Sequence, residues 1–212
     1  MAEMVGRRTR KKQRTHMAIQ DAAFTLFAER GYRETTIRAI ADSADVAPRT
    51  VTVHFATKEE LLFDAEPFRV ESLAAALDAR RPQESALDTL RIWMAATMNQ
   101  LESENADLRD RFWERRAQRA RIINAEPALR GRARAGYYEL ERVLADAIGV
   151  DLGQSGTALV PRLAALTVVA GLRDLYEIDE FRALRSPPTA ASLLTLVDRV
   201  IAFTRSGITG VT

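Results

Sequence analysis

The sequence predicts an all-α protein of about nine helices, with a three-helix head at the N-terminus and a larger helical body behind it. Three observations predict it. No run of alternating β-branched residues bounded by turn residues occurs in the 212 residues. Glycine and proline number 10 and 7 and fall mainly at segment boundaries, among them Gly31, Pro48, Pro82, Pro127, Gly149, Gly153, Gly156, Pro187 and Pro188. Between those boundaries apolar residues recur at three- and four-residue steps.

Composition narrows the function classes. Apolar residues make up 47% and charged residues 28%, a globular balance. There is no cysteine, which excludes a disulfide scaffold, a cysteine-ligated zinc site and a cysteine nucleophile. With two histidines, His16 and His54, a histidine metal site has little to draw on, and neither a metal nor a cofactor is expected. The apolar stretch from Leu163 to Leu172 is too short to span a bilayer. The basic N-terminus is followed by no apolar signal core. These features predict a cytoplasmic protein with no membrane partner. No glycine-rich phosphate loop, nucleophile elbow or metal-ligand cluster is present, and the Glu102 and Glu104 carboxylates fall on solvated helix surface, so catalysis is not expected.

Charge is unevenly spread. Residues 1–58 hold 11 Lys/Arg against 6 Asp/Glu, a net +5, while residues 59–212 hold 20 against 23, a net −3. A basic head on a mildly acidic body is suited to a polyanion. The alternative is a tail that serves solubility.

The first helix of the head is predicted from about Thr15 to Arg30, where Ile19, Ala22, Ala23, Leu26 and Phe27 share a face and Gly31 provides a left-handed stop. Thr36 offers an N-cap for a short helix through Ser43. After a tight connection at Asp45-Val46, Pro48 sits at the first position of a helix ending near Phe55. Thr57 with Glu60 fits a capping box for the next helix. Small Ala41 and Ala44 let the two short helices cross closely, which makes a helix-turn-helix. Its second helix turns Arg49, Thr50, Thr52, Val53 and His54 outward and Val51 and Phe55 inward. Arginine, threonine and histidine can reach base edges or phosphates.

The run from Ala22 to Tyr32, then Thr35 to Ala41, Val46, His54-Phe55 and Lys58 to Leu62, resembles the N-terminal domain of TetR-family repressors over residues 15–62. The resemblance implies a recognition helix in the major groove, phosphate grips at Thr36 and Lys58, and base or backbone contacts from Arg38, Pro48, Arg49, Thr50, Thr52 and His54. Three residues depart from the family pattern. Asp45 stands where the turn usually has glycine, Ala47 where the third helix is often capped by serine or threonine, and Thr52 where an aromatic phosphate contact is common. Residues 1–14 form a basic arm that either follows DNA or merely solubilises the chain.

The body is expected over 63–206, with a fraying tail at 207–212. Its first helix, from Lys58 to about Arg80, carries Pro67, which predicts a kink or restart. The helices at 84–103, 106–124 and 127–148 bring apolar and aromatic stripes together. Trp93, Met94, Thr97, Met98, Phe112, Trp113 and Tyr137 read first as core and second as the lining of an adaptable ligand cavity. Arg116 on that face is either snorkelling or an anion clamp. Residues 109–134 hold nine arginines against three acids, read as a solvated face or a basic mouth. The stretch Arg121 to Arg130 resembles a TetR subgroup that includes the mycofactocin-system regulator, and that resemblance implies acyl-CoA-like ligands.

The last two helices, about 157–176 and 189–205, are apolar on several faces. That predicts burial by their own body and by a second copy, with Leu163, Leu166, Val169, Leu193, Val197 and Val200 at a four-helix interface. A deep intradomain core is the alternative. The expectation is therefore a homodimeric, ligand-responsive repressor that leaves a palindromic double-stranded operator when a small apolar or amphipathic anionic effector binds. A non-specific architectural DNA binder is the rival.

Overall fold

The computed structural model describes residues 2–64, 68–103, 106–175 and 189–211. Pro67, Glu104, Tyr176, Pro187 and Pro188 lie outside them, as do the side chains of residues 2–10 in the basic arm. Ten helices and no strand occur among the described residues: α1 Ala2–Arg30, α2 Ile37–Ser43, α3 Pro48–His54, α4 Glu60–Phe63, α5 Val70–Asp78, α6 Ala86–Ser103, α7 Ala106–Ala125, α8 Pro127–Leu152, α9 Leu159–Asp174 and α10 Ala190–Thr209. They divide into two units, residues 1–64 with 115–130 and residues 65–114 with 131–212.

In the first unit Ile19, Ala23, Phe27, Ile40, Ala41, Val51, Phe55, Leu61 and Leu62 are buried and form the core. Helix α2 packs on both α1 and α3. Gly31 ends α1 at φ +80°. Thr36 caps α2, its hydroxyl oxygen accepting from the Ala39 amide at 3.1 Å. Asp45 takes the left-handed turn at φ +51°, where Asp is tolerated better than most residues. Ala47 leaves α3 without a side-chain cap. The expected capping box forms only in part: Thr57 accepts from the Glu60 amide at 3.3 Å, but the Glu60 carboxylate accepts from the amide of Ala56 at 2.7 Å, one residue before Thr57, and α4 begins after Glu59 without a side-chain cap. The arm does not precede the first helix but continues it, because Arg, Lys, Gln and Ala favour helix and no proline interrupts them.

The two histidines meet inside this unit. His16 on α1 stacks on Phe55 at 4.3 Å, pairs with Asp64 at 2.7 Å, and lies 5.7 Å from the His54 ring. Burial first, then the neighbouring His16 and Lys12, pull the His54 imidazole below its ordinary 6.5.

In the second unit α5 packs on α6, and α6 and α9 both pack on α10. Helix α4 stops at Phe63 and α5 restarts at Val70, so the long helix expected to Arg80 is two. Leu73, Leu90, Leu144, Val168, Val169 and Val197 anchor the core. Gly171 lets α9 approach α10: a methyl there would lie 2.7 Å from Val200 Cγ1. Asp151 at the end of α8 accepts from the Ala86 amide at 2.6 Å and from Arg80 at 2.8 Å. Arg91 donates to both oxygens of Asp198, at 2.5 and 3.0 Å. Thr189 caps α10, which runs on to Thr209 where fraying was expected after residue 206.

Two outcomes follow. A methyl at Gly156 would lie 2.2 Å from Asp146 Oδ1 and 2.7 Å from Asp146 Cα. Gly156→Ala therefore destabilises the second unit by about 1–3 kcal/mol, read as a Tm drop of ~2–4 °C per kcal/mol. For His54, the folded value lies below the unfolded 6.5, so its stabilising contribution is complete above that pH and is lost as pH falls through it. The protection factors of the α3 amides, observed exchange set against the intrinsic rate at the same pH, should therefore fall as the pH is lowered below 6.5, and His54→Gln should flatten that response.

Candidate nucleic-acid interface

Helix α3 is seven residues long, too short to persist without tertiary support. Val51 and Phe55, 0% and 1% exposed, supply that support by facing the core. The opposite face then stands in solvent. Pro48, Arg49, Thr52 and Val53 are exposed there, and Thr50 is half-buried. Arg49, Thr52 and Val53 share one stripe at i, i+3 and i+4. Thr52 donates its hydroxyl to the Arg49 carbonyl at 3.1 Å, which leaves its methyl and oxygen lone pairs outward. Val53 is 72% exposed, and its methyl groups are suited to a thymine methyl. On α2, Arg38 is exposed, and so is Thr36, whose O–H can donate to phosphate while its oxygen caps the helix.

Two of the expected contact residues are engaged elsewhere. His54 is half-buried against α1, and its Nδ1 is buried with no hydrogen-bond partner. Lys58 Nζ donates to the carbonyls of Tyr32 at 2.8 Å, Thr35 at 3.0 Å and Arg33 at 3.4 Å, and sits 4.3 Å from the centre of the Tyr32 ring.

The second half of α7 belongs to this unit, which the sequence did not reveal. Arg115 pairs with Asp21 of α1, and Gln118 donates to the Phe24 carbonyl. Arg119 lies 5.4 Å from the centre of the Phe63 ring, and Arg33 pairs with Glu126 at 2.8 Å. These pairs join residues 56 to 94 positions apart, so no local spacing could announce them. Part of the arginine-rich stretch thus docks α7 on α1, a role beyond the solvated face or ligand mouth expected for it. The unit carries 16 basic against 10 acidic residues, and the remainder of the chain 15 against 19. The sign asymmetry is that expected of a polyanion binder.

In the second unit, Phe68, Trp93, Phe112 and Trp113 form a continuous aromatic cluster with centroids 5.1–6.1 Å apart. Trp93 Nε1 donates to Ser72 Oγ at 3.2 Å, and Thr97 donates to the Trp93 carbonyl at 2.8 Å. Met94 and Met98 are buried in the same core, and Tyr137 packs on it beneath the Arg173 guanidinium. Arg116 alone of the eight expected ligand residues falls in the first unit. Of the six expected interface residues, Val169, Leu193 and Val197 are at most 2% exposed and belong to the unit's own core. Val200 is half-buried against Gly171, Leu166 is half-buried, and Leu163 is 51% exposed. Exposed Leu159 and Phe203 extend the apolar surface of α9 and α10. No helix among the described residues is long and apolar enough to cross a membrane.

Known proteins resemble the chain in both parts. Residues 19–65 match the family of bacterial regulatory proteins of the tetR type, and residues 90–209 match the MftR C-terminal domain. A Mycobacterium tuberculosis protein named as a mycofactocin biosynthesis transcriptional regulator, MftR, is 26% identical over 79% of this chain and 81% of its own length. The HTH-type transcriptional regulator TcmR of Streptomyces glaucescens is 38% identical over 85 residues, 40% of this chain and 38% of its own, so that likeness spans under half of the relative. Among solved structures, NalD of Pseudomonas aeruginosa, the secondary repressor of the MexAB-OprM efflux pump, superposes with TM-score 0.55 over 89% of this chain and 97% of its own, at 21% identity. SmeT in complex with triclosan gives the same TM-score over 89% and 90%, at 20% identity. At such identities the likeness is one of fold. The C-terminal match alone covers more than half of the chain, and the protein belongs to the TetR family of transcriptional regulators, with a C-terminal domain of the MftR type.

Proposed function

We propose that the protein is a homodimeric repressor that reads a palindromic operator through α3 and releases it when an effector occupies the second unit. The observation that carries this reading is the exposed stripe of Arg49, Thr52 and Val53, held outward by buried Val51 and Phe55. Arg49 is the candidate for bidentate reading of guanine, and Thr52 and Val53 for thymine methyls. Thr36 and Arg38 anchor α2 to the backbone. Two copies of α3 on one face of the duplex would read half-sites one helical turn apart.

The dimer face of this reading is the outer surface of α9 and α10, centred on Leu159, Leu163, Leu166 and Phe203. Exposed apolar side chains on two adjacent helices are costly in a lone chain and natural in an isologous contact. The effector site is the aromatic and methionine cluster at Trp93, Met94, Met98, Phe112 and Trp113. Such a lining suits an apolar or amphipathic anionic molecule, and the match to an MftR-type domain adds acyl-CoA-like molecules to the class. Release requires that the effector bind more tightly to a state whose two heads are wrongly spaced. The cytoplasm is the compartment where such a repressor works.

The test is fluorescence anisotropy with duplexes tiling the DNA upstream of the gene, at fixed near-physiological salt. Saturable binding at least about a hundredfold tighter than to scrambled DNA is expected. Equal, weak binding to every duplex would instead favour the architectural reading. Arg49→Ala should weaken operator binding by about 1–3 kcal/mol, with little change on scrambled DNA and the oligomer intact. Phe203→Asp should reduce the wild-type species, about twice the 23.6 kDa chain mass, to monomer at sub-micromolar concentration by mass photometry, while Val53→Asp should not.

A further inference from the structure

We infer that Glu141 holds a second copy of the chain by accepting that copy's Arg199 in the groove between α8 and the start of α9, a groove complete only in the dimer. Glu141 lies on α8 and is 8% exposed, and a carboxylate so withdrawn from water needs donors. Among the described residues it receives no hydrogen bond, and its one ion pair is with Arg134 at 3.8 Å, beyond hydrogen-bond reach. The Arg134 side chain is itself 61% exposed. The arginines nearby are held by other carboxylates. Arg142 donates to Glu139 at 2.7 Å and to Asp146 at 3.2 Å. Arg173, close enough to sense Glu141, donates to both oxygens of Asp174 at 2.6 and 2.9 Å.

Glu141 lines a groove with Tyr138, Asp146, Thr157, Arg162 and Leu166, all within the second unit. Its volume is about 90 Å³, the scale of a side-chain head group and well short of a pocket for a drug-sized molecule. Leu166 in the groove wall also continues the outward apolar row of Leu159 and Leu163 on α9. A second copy seated on that row therefore reaches the edge of the groove. The cation it brings is an arginine, because the three lysines, at 11, 12 and 58, and both histidines lie in the first unit. Among the described residues of α9 and α10, Arg173 is held by Asp174, Arg205 by Asp88, and Arg162 stands in the wall of its own groove. Arg199 is exposed one turn before exposed Phe203, on the outward side of α10. Its planar fork matches a carboxylate, and an isologous contact forms the pair twice.

This inference rests on the homodimer reading, and the experiment separates the two. Sedimentation velocity on the full-length chain gives the dimer dissociation constant. Glu141→Gln keeps the shape and removes the charge, and it should raise that constant about tenfold or more, as should Arg199→Gln. The double variant should dimerise no more weakly than either single one, because both have lost the same contact. Charge reversal then tests the pairing directly. Glu141→Arg and Arg199→Glu should each be monomeric at concentrations where the wild type is a dimer. Their equimolar mixture should dimerise, since both pairs re-form with the charges exchanged. Should Glu141→Arg fail to fold by circular dichroism, the glutamine cycle decides. An unchanged constant for Glu141→Gln, single effects that multiply in the double variant, or a mixture of two folded variants that stays monomeric would each overturn the inference while the dimer stands. Wild-type chain that remains monomeric at about 100 μM rejects the homodimer reading and the inference with it.

Discussion

The surface that the molecule offers to DNA depends on one apolar contact, the burial of Val51 and Phe55 beneath α3. Locally the helix has little else. It spans seven residues, has no side-chain cap at Ala47, and follows a residue at φ +51°. The missing cap costs about 0.5–2 kcal/mol and the left-handed Asp45 about 1 kcal/mol. Burying a valine and a phenylalanine contributes about 1.5–3 kcal/mol each. Tertiary burial thus offsets the local defects, and the helix exists because it is docked. The same contact decides its phase. With positions 51 and 55 inward, positions 49, 52 and 53 have to point out.

The head is also completed from far away in the chain. Arg115 and Gln118 fasten α7 to α1, and Arg33 holds Glu126. An exposed ion pair such as Arg33–Glu126 is worth little by itself. The half-buried Arg115–Asp21 pair and the amide on the Phe24 carbonyl carry more, because they engage groups withdrawn from water. Helix α7 contributes its first residues to the second unit and its last to the first. On the proposed reading, an effector that displaces Phe112 or Trp113 acts on the same helix that Arg115 anchors three residues or fewer away. That continuity is covalent and needs no further contact.

Much of the head was legible because its signals are local. Gly31 at positive φ, the Thr36 cap, the tolerated turn at Asp45, Pro48 opening α3 and the Thr57–Glu60 hydrogen bond all rest on neighbours within four residues. The docking of α7 was not legible, since nothing near Arg115 distinguishes a pairing with Asp21 from a solvated arginine. The faces of α9 and α10 were half legible. A helix apolar all round announces two burials but not which side meets which neighbour. Val169, Leu193 and Val197 proved internal, while Leu159 and Phe203, outside the expected set, stand exposed. Glycine decides the matter at one point: Gly171 draws α9 and α10 together and so turns Val200 inward.

Residue type and residue role part company most clearly at His54 and Lys58. Both are side chains that commonly meet nucleic acid, and both lie in a basic head. Yet His54 is turned against His16 and Phe55, and the Lys58 ammonium is surrounded by carbonyls. The carbonyls that Lys58 meets, of Tyr32, Arg33 and Thr35, lie beyond the end of α1, in the loop that leads to the Thr36 cap. On the proposed reading, α3 then keeps one long cation, Arg49, beside the methyl groups of Thr52 and Val53. A face of one bidentate donor and two methyl surfaces discriminates by shape and apolar contact as much as by charge. On that reading its specificity is sensitive to small displacements of α3.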